Sequence, residues 1–162
     1  MSIKILFCAD GSEQALAALR RAARLLRGAG VRACVLYVLP DVDDRFRHYE
    51  RLHEDELKDI EHLFRDQAPG VEVLGKAREA LLQEGVEADQ KLRQGDPTEE
   101  VLAEIREGGY DLVVVASSSK SRVERFLLGS VSQRLSEAAE TSVLIMKPGG
   151  GEGHGDGGTD PG

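Results

Sequence analysis

The apolar positions of the first forty residues follow a strand, helix, strand order. Residues 3–9 form a near-continuous apolar run of strand length, and a turn follows at residues 10–12. Over residues 14–26 apolar side chains recur at helical spacing between arginines, and Ser12 is placed to cap this helix. Residues 32–39 form a second strand of the buried type. This order predicts the βαβ unit of a parallel sheet.

The rest of the chain continues to alternate helices and strands. A charged helix is predicted over residues 41–66, and the helical pattern resumes after Pro69-Gly70, which indicates a kink or a short loop. Residues 86–93 have the length of a strand but carry four charged side chains, as an edge strand does. The later predicted elements are a helix capped by Asp96, a strand over 110–116, a helix opened by Gly129-Ser130, and a strand over 142–147. The predicted buried faces of these two helices consist of Val101, Leu102 and Ile105, and of Val131, Leu135, Ala138 and Ala139.

These elements predict an α/β protein with an open, doubly wound sheet of five mostly parallel strands. Ligands of such sheets bind beyond the carboxyl ends of the strands, where the strand order reverses. Asp10, Leu39, Gly95 and residues 117–119 lie at or just beyond predicted strand ends. The ligand site is therefore expected in those loops.

Length and charge narrow the class of protein. The 162 residues, 41% hydrophobic and 31% charged, suit one domain over residues 1–148 and exclude a disordered chain. Residues 149–162 contain eight glycines and are expected to form a disordered tail. The formal net charge of −8 argues against binding to nucleic acid or to an anionic membrane. No apolar run reaches the ~18 residues of a bilayer span and no leader precedes the first strand, so a cytoplasmic location is expected.

Signatures of several catalytic and metal-binding classes are absent from the sequence. It contains no phosphate loop of the G-x-x-x-x-G-K-[ST] type, no G-x-G-x-x-G after the first strand, no H-E-x-x-H and no G-x-S-x-G. The histidines at 48, 53 and 62 do not share one helical face, so no metal site is expected. Cys8 and Cys34 lie in apolar runs and are expected to be buried, reduced thiols.

A two-component receiver domain has a similar order of elements, with an acidic residue after its first strand and a Lys-Pro pair after its last. Asp10 and Lys147-Pro148 match these features. However, the third predicted strand ends in residues 94–96, where Asp96 is a helix cap rather than a phosphate acceptor. The receiver interpretation is therefore the weaker one.

The segment from Ala116 to Ser132, which includes Leu-Leu-Gly-Ser-Val-Ser, resembles the signature loop of the universal stress protein family. Four further features occur in that family's order: Ala9-Asp10-Gly11-Ser12, the strand end Tyr37-Val38, the turn Gly95-Asp96-Pro97 and the final strand Val143 to Met146. The resemblance covers residues 3–148. It implies a Rossmann-like fold, similar to the adenine nucleotide alpha-hydrolase-like folds, with strand order 3-2-1-4-5 and helices on both faces.

The resemblance also implies an ATP site, with Mg²⁺ as a companion ion. ATP-binding relatives carry a glycine, two residues, a glycine, nine residues and then Gly-Ser or Gly-Thr. Here Gly129-Ser130 matches the last pair, whereas Ala116 and Ser119 replace the first two glycines. The resemblance assigns Asp10 to the sugar and the Val38 backbone to adenine, although Asp10 also suits a turn and Val38 a core position. The remaining nucleotide-binding residues that it implies are Val115, Ala116, Ser117, Ser119, Gly129, Ser130, Val131 and Ser132.

Three functions are consistent with these residues. The first is a cytoplasmic, adenine-nucleotide-binding regulatory module of the stress response, with no reaction of its own. The second is the same fold without nucleotide binding, acting through protein–protein contacts with a regulatory partner. The third is a slow ATPase, but no general base is positioned in the sequence, so no enzyme activity and no catalytic residue are expected. Side chains at Ala116 and Ser119 keep the first two functions open, because glycine there lets backbone amides approach phosphate closely.

A homodimer is predicted through the last strand, from Ser142 to Lys147. In the implied strand order this strand lies at one edge of the sheet, and residues 143–146 carry no charge or proline that protects an edge. The opposite edge, residues 86–93, is charged. Antiparallel pairing of two copies of the last strand across a two-fold axis would close the assembly.

Overall fold

The computed structural model describes residues 2–28, 30–39, 68–117, 130–147 and 149. The helix predicted over 41–66 with its histidines, and the tail from residue 150 onward, lie outside these ranges. Five strands form one sheet in the order β3-β2-β1-β4-β5, and all four pairings are parallel. The strands are β1 (Ile3–Ala9), β2 (Val31–Leu39), β3 (Ala88–Gln94), β4 (Leu112–Ala116) and β5 (Ser142–Met146). The predicted α/β class and strand order are confirmed.

Within the described ranges, four helices cover the two faces of this sheet. They are α1 (Glu13–Leu26), α2 (Ala68–Gln83), α3 (Pro97–Gly108) and α4 (Ser130–Ala138). The first-face cluster, under α1 and α2, includes Ile5 and Phe7 of β1. The second-face cluster, under α3 and α4, includes Leu6 of the same strand. Because β1 is buried on both faces, its sequence is a continuous apolar run rather than an alternating one.

Local hydrogen bonds explain where two of the helices begin. The Ser12 hydroxyl accepts a hydrogen bond from the Ala15 amide at 3.0 Å, and the Asp96 carboxylate accepts one from the Glu99 amide at 2.9 Å. Both predicted caps are confirmed. At the other end of α3, Gly109 has a φ of 66°, the left-handed conformation that glycine adopts at least cost.

Two local predictions differ from the structure. Pro69-Gly70 does not form a short loop, since both residues lie within α2, which is described from Ala68 onward. A Cβ on Gly70 would lie 2.8 Å from Leu92 Cδ1, so this glycine lets α2 pack closely on β3. Ala138, expected on the buried face of α4, is exposed, and Ser132 is buried instead.

A buried carboxylate joins α3 to the edge strand β3. Glu104 has no solvent exposure, and its Oε2 accepts hydrogen bonds from Lys91 Nζ at 2.9 Å and from the Tyr110 hydroxyl at 2.8 Å. Its Oε1 accepts one from Arg93 Nη1 at 3.0 Å. Burial alone would raise the pKa of Glu104, but the donors Lys91, Tyr110 and Arg93 outweigh it and lower that pKa. These residues form the Glu104 cluster, which the sequence pattern did not indicate.

Both cysteines are free thiols in the structure. Cys34 is buried and Cys8 is partly buried, both on the second face of the sheet. Burial raises the pKa of Cys8 to about 12 and also raises that of Cys34. Thiols with raised pKa values are poor nucleophiles at neutral pH, which agrees with the predicted structural role.

Candidate functional site

The carboxyl ends of β1 and β4 mark the point where the strand order reverses. The connections from β1 lead to α1 on the first face, whereas β4 leads to α4 on the second face. Paired residues of β1 and β4 end at Phe7 and Val114, although β1 and β2 remain paired to Ala9 and Tyr37. The two central strands therefore diverge at this end, as at the ligand crevice of doubly wound sheets.

Asp10 shapes the turn that connects β1 to α1. Its Oδ1 accepts hydrogen bonds from the Ser12 amide at 2.8 Å and from the Ser12 hydroxyl at 2.7 Å. Gly11 between them has a φ of 87°, a conformation that few side chains permit. Asp10 is exposed, and among the described contacts both hydrogen bonds use Oδ1. The turn role is therefore real, and Oδ2 is still available as an acceptor for a ligand.

A pocket of about 230 Å³ opens beside this turn, between α1 and α2. Its described floor is apolar and consists of Ala15, Leu16, Leu19 and Val73. Its rim is polar and includes Asp10, Ser12, Glu72 and Lys76. Glu72 Oε1 and Lys76 Nζ, one helical turn apart, are separated by 3.4 Å. The sequence analysis missed Glu72 and Lys76, since no motif contains them and only the packing of α2 against α1 brings them to Asp10.

Val38 presents backbone rather than side chain to this region. Its side chain is buried in the second-face cluster. The Leu39 carbonyl accepts a hydrogen bond from the Gly95 amide at 2.9 Å, on the β3 side of the strand. Because the backbone groups of consecutive strand residues point to opposite sides, those of Val38 point toward β1, near its last paired residue, Ala9.

The residues predicted to contact phosphate are only partly described. Val115 is buried, and the half-buried Ala116 packs against the first-face cluster. The Ser117 amide donates to the Met146 carbonyl at 3.0 Å, so it belongs to the sheet. Ser119 and Gly129 lie outside the described residues.

The start of α4 lies at the same end of the sheet as Asp10. Because β5 runs parallel to β4, the connecting helix must return antiparallel to the strands, and it begins with Ser130 and Val131 at their carboxyl ends. Ser132, in the same turn, is buried. The structure thus places Asp10, the Val38 backbone, Ala116, Ser117 and the α4 start at one end of the sheet.

The family model described as "Universal stress protein family" matches residues 1–147. The chain belongs to the universal stress protein family. This universal stress protein is 35% identical to universal stress protein YxiE of Bacillus subtilis over 78 residues, 48% of this chain and 53% of that one. It is 27% identical to universal stress protein MJ0531 of Methanocaldococcus jannaschii over 89% of this chain and 81% of that protein. The match spans about half the length of YxiE, and a match to a second Bacillus subtilis relative, stress response protein NhaX, likewise spans about half of that protein.

Solved structures of the same family share the fold. A universal stress protein of Archaeoglobus fulgidus in complex with dAMP superposes with a TM-score of 0.61 at 21% identity, covering 91% of this chain and 98% of that one. A family member of Arabidopsis thaliana with AMP bound gives a TM-score of 0.64 at 18% identity, covering 93% and 94%. At these identities the likeness shows the fold alone.

Within the described ranges of the chain, no group of three or more His, Cys, Asp and Glu side chains is placed to hold a metal ion. Among the helices that can be described, none is both long and apolar enough to cross a bilayer.

Proposed function

We propose that this universal stress protein is a cytoplasmic regulatory module of the stress response that binds an adenine nucleotide, ATP in the first place, and has no reaction of its own. The observation that carries the proposal is the pocket beside Asp10, at the carboxyl end of β1. The dAMP and AMP bound to the two solved relatives support the choice of an adenine nucleotide.

The described residues fit a nucleotide laid across the end of the sheet. Asp10 Oδ2 would accept a hydrogen bond from a sugar hydroxyl, and the Val38 backbone would meet the base. The phosphates would extend toward the α4 start at Ser130, where the helix dipole favours an anion. Ala116 is no obstacle, since its methyl group packs against the first-face cluster.

Ser117 limits how the phosphates are held. Its amide donates to Met146 and is unavailable, so we assign phosphate binding to the Ser117 hydroxyl, the loop through Ser119 and Gly129, and the first turn of α4. Mg²⁺ would enter already bound to the phosphate oxygens of ATP, as this ion commonly does.

Equilibrium titration with a fluorescent ATP analogue, with and without Mg²⁺, tests the proposal. We expect saturable binding that unlabelled ATP displaces, and a clear loss of affinity in Asp10→Asn. The matched control is Asp89→Asn, an exposed aspartate on β3. Absence of saturable binding at millimolar nucleotide would overturn the proposal.

A second candidate function is protein binding without a nucleotide. It is favoured by Ser119 in place of a family glycine and by the commitment of the Ser117 amide to the sheet. Restoring glycine with Ser119→Gly should maintain or improve nucleotide affinity, whereas Gly129→Val should abolish it by crowding the phosphates. Nucleotide binding in neither the wild type nor Ser119→Gly would favour the protein-binding function.

We also propose a homodimer through the outer edge of β5, which pairs on its other side with β4. The Met146 carbonyl faces β4, so by alternation Ile145 directs its backbone groups outward and Leu144 directs them inward. Ile145→Pro should therefore yield monomers in sedimentation equilibrium without removing a β4–β5 hydrogen bond. Leu144→Pro is the contrasting variant, since it should weaken the sheet itself. A wild-type protein that sediments as a monomer would refute the dimer.

A further inference from the structure

Arginines cover the outer side of the second half of α1. Residues 14–40 contain five arginines and no aspartate, glutamate or lysine, in a chain whose formal net charge is −8. Four of the five form what we call the arginine face, since spacings of three and four place side chains together on a helix: Arg20, Arg21, Arg24 and Arg27. We propose that this face binds the acidic tail, residues 150–162 of the same chain.

The described contacts neutralise little of the charge on this face. Among the described residues, Arg24 pairs with a carboxylate, Glu84, whose Oε1 lies 3.0 Å from Arg24 Nε. Arg20 donates instead to a side-chain amide oxygen of α2 at 2.6 Å, and Arg21 to the Lys147 carbonyl at 3.3 Å. Both of these acceptors are uncharged. Four guanidinium groups against one carboxylate leave a formal charge of +3 in the described part of the chain.

The helix dipole explains only part of this pattern. Cations are favoured near the carboxyl end of a helix, and Arg24 lies in the last turn of α1 with Arg27 at its cap. Arg20 and Arg21 lie in the middle of the helix, beyond the reach of this effect. All four are arginines rather than lysines, and the planar guanidinium group matches a carboxylate with two parallel hydrogen bonds. A ligand that carries carboxylates therefore suits the face.

The acidic tail begins beside this face. A Cβ on Gly149, the last described residue, would lie 3.6 Å from Arg21 Cδ. The residues that follow include three carboxylates and no lysine or arginine: Glu152, Asp156 and Asp160. An extended chain covers ~3.3 Å per residue, so the first carboxylate, three residues on, reaches about 10 Å. The four arginines span about 10 Å along the helix axis, which is within that reach.

Tethering compensates for the weakness of exposed ion pairs. Each such pair contributes little, and glycine-rich chain loses much conformational freedom when it is ordered. However, a short tether holds the tail at a millimolar effective concentration, so a contact of only millimolar strength is populated about half of the time. Salt at about 0.5 M screens exposed charges within a few ångströms and should abolish the contact. The tail is therefore a built-in competitor for any other carboxylate-rich ligand of the arginine face.

Amide chemical shifts of the full chain, measured by heteronuclear NMR, test this contact. The tail-neutral variant combines Glu152→Gln, Asp156→Asn and Asp160→Asn. The amide resonances of residues 20–27 should differ between this variant and wild type at about 0.02 M NaCl and coincide at about 0.5 M. Glu137→Gln, which neutralises an exposed carboxylate on α4, is the matched control and should leave those resonances unchanged.

Two further measurements address the arginine face itself. Arg27→Glu should move the glycine resonances of the tail toward their positions at high salt, whereas Arg106→Glu, the same reversal at an exposed position of α3, should not. A poly-glutamate peptide should bind the tail-neutral variant about twofold more tightly than wild type at low salt, because the bound tail occupies about half of the faces.

Three outcomes would overturn the proposal. Identical shifts of residues 20–27 in wild type and in the tail-neutral variant at low salt would refute the contact. Equal affinity of poly-glutamate for these two proteins would show that the tail does not occupy the face. Shift differences that grow with protein concentration would assign the bound tail to a second copy of the chain. None of these measurements involves a nucleotide, so they are independent of the function proposed above.

Discussion

Glu104→Gln tests how strongly a fully buried carboxylate holds α3 on the edge of the sheet. The glutamine has nearly the same shape, and its oxygen can still accept one hydrogen bond. It cannot supply the negative charge that Lys91 and Arg93 approach at 2.9 and 3.0 Å. Its amide group also points donors at a site that is surrounded by donors, including the Tyr110 hydroxyl.

The size of the stability loss depends on which interactions Lys91 and Arg93 retain in the variant. A hydrogen bond to a charged group contributes about 1.5–3 kcal/mol to stability. In Glu104→Gln the hydrogen bonds from Lys91 and from Arg93 are each weakened in part. Lys91 is 51% exposed and regains water, and Arg93 keeps Glu100 and Glu107 as partners. Removing a buried charge also relieves a desolvation cost. We therefore expect a loss of about 2 kcal/mol in the free energy of unfolding, or ~4–8 °C in Tm for a domain of this size.

Urea denaturation followed by far-ultraviolet circular dichroism measures this loss at neutral and acidic pH. The pKa of Glu104 is lowered in the folded protein, so its contribution is complete above the unfolded value and is lost as pH falls through the folded value. The stability difference between wild type and Glu104→Gln should be largest at neutral pH and shrink below about pH 4.

Glu107→Gln is the matched control for this prediction. Glu107 lies on the same helix and meets the same arginine at 3.1 Å, but its side chain is 63% exposed. Exposed ion pairs contribute little, so this variant should lose less than about 0.5 kcal/mol. Equal losses in the two variants, or a Glu104→Gln loss that persists at acidic pH, would refute the reasoning.

Substitutions in the turns that flank α1 and α3 give three further predictions. Ser12→Ala removes the cap of α1 and should lower the free energy of unfolding by about 1 kcal/mol in urea, while the exposed Ser136→Ala should have little effect. Gly109→Ala forces a side chain into the left-handed conformation and should cost about 1–2 kcal/mol in the same assay. Gly11→Ala combines such strain with a methyl group 3.4 Å from Val73 at the pocket, so nucleotide affinity should fall several-fold in the titration. Unchanged stability in the first two variants, or unchanged affinity in the third, would contradict these assignments.

Several elements could be predicted from the sequence because they depend on interactions between residues that are close in the chain. β1 is recognisable because burial on both faces requires a continuous apolar run. The helix starts at Ser12 and Asp96 are recognisable because a cap acts within three residues of itself. β3 could be predicted as an edge strand because burying its charged side chains at the centre of a sheet would be energetically unfavourable. The strand order came from the resemblance of the 116–132 segment to its family, not from these patterns.

The remaining features depend on contacts between segments that are distant in the sequence. Glu104 is buried because β3 brings Lys91 and Arg93 against α3, and a charge in a helix otherwise indicates a solvated face. Gly70 lies within α2, and only the tertiary structure shows that Leu92 of β3 occupies the space where a side chain would stand. Glu72 lines the same pocket as Asp10, 62 positions away in the sequence, only because α2 packs beside α1. Periodicity and capping depend on near neighbours in the chain, so they specify elements, whereas burial of a charge and the lining of a pocket depend on which elements meet.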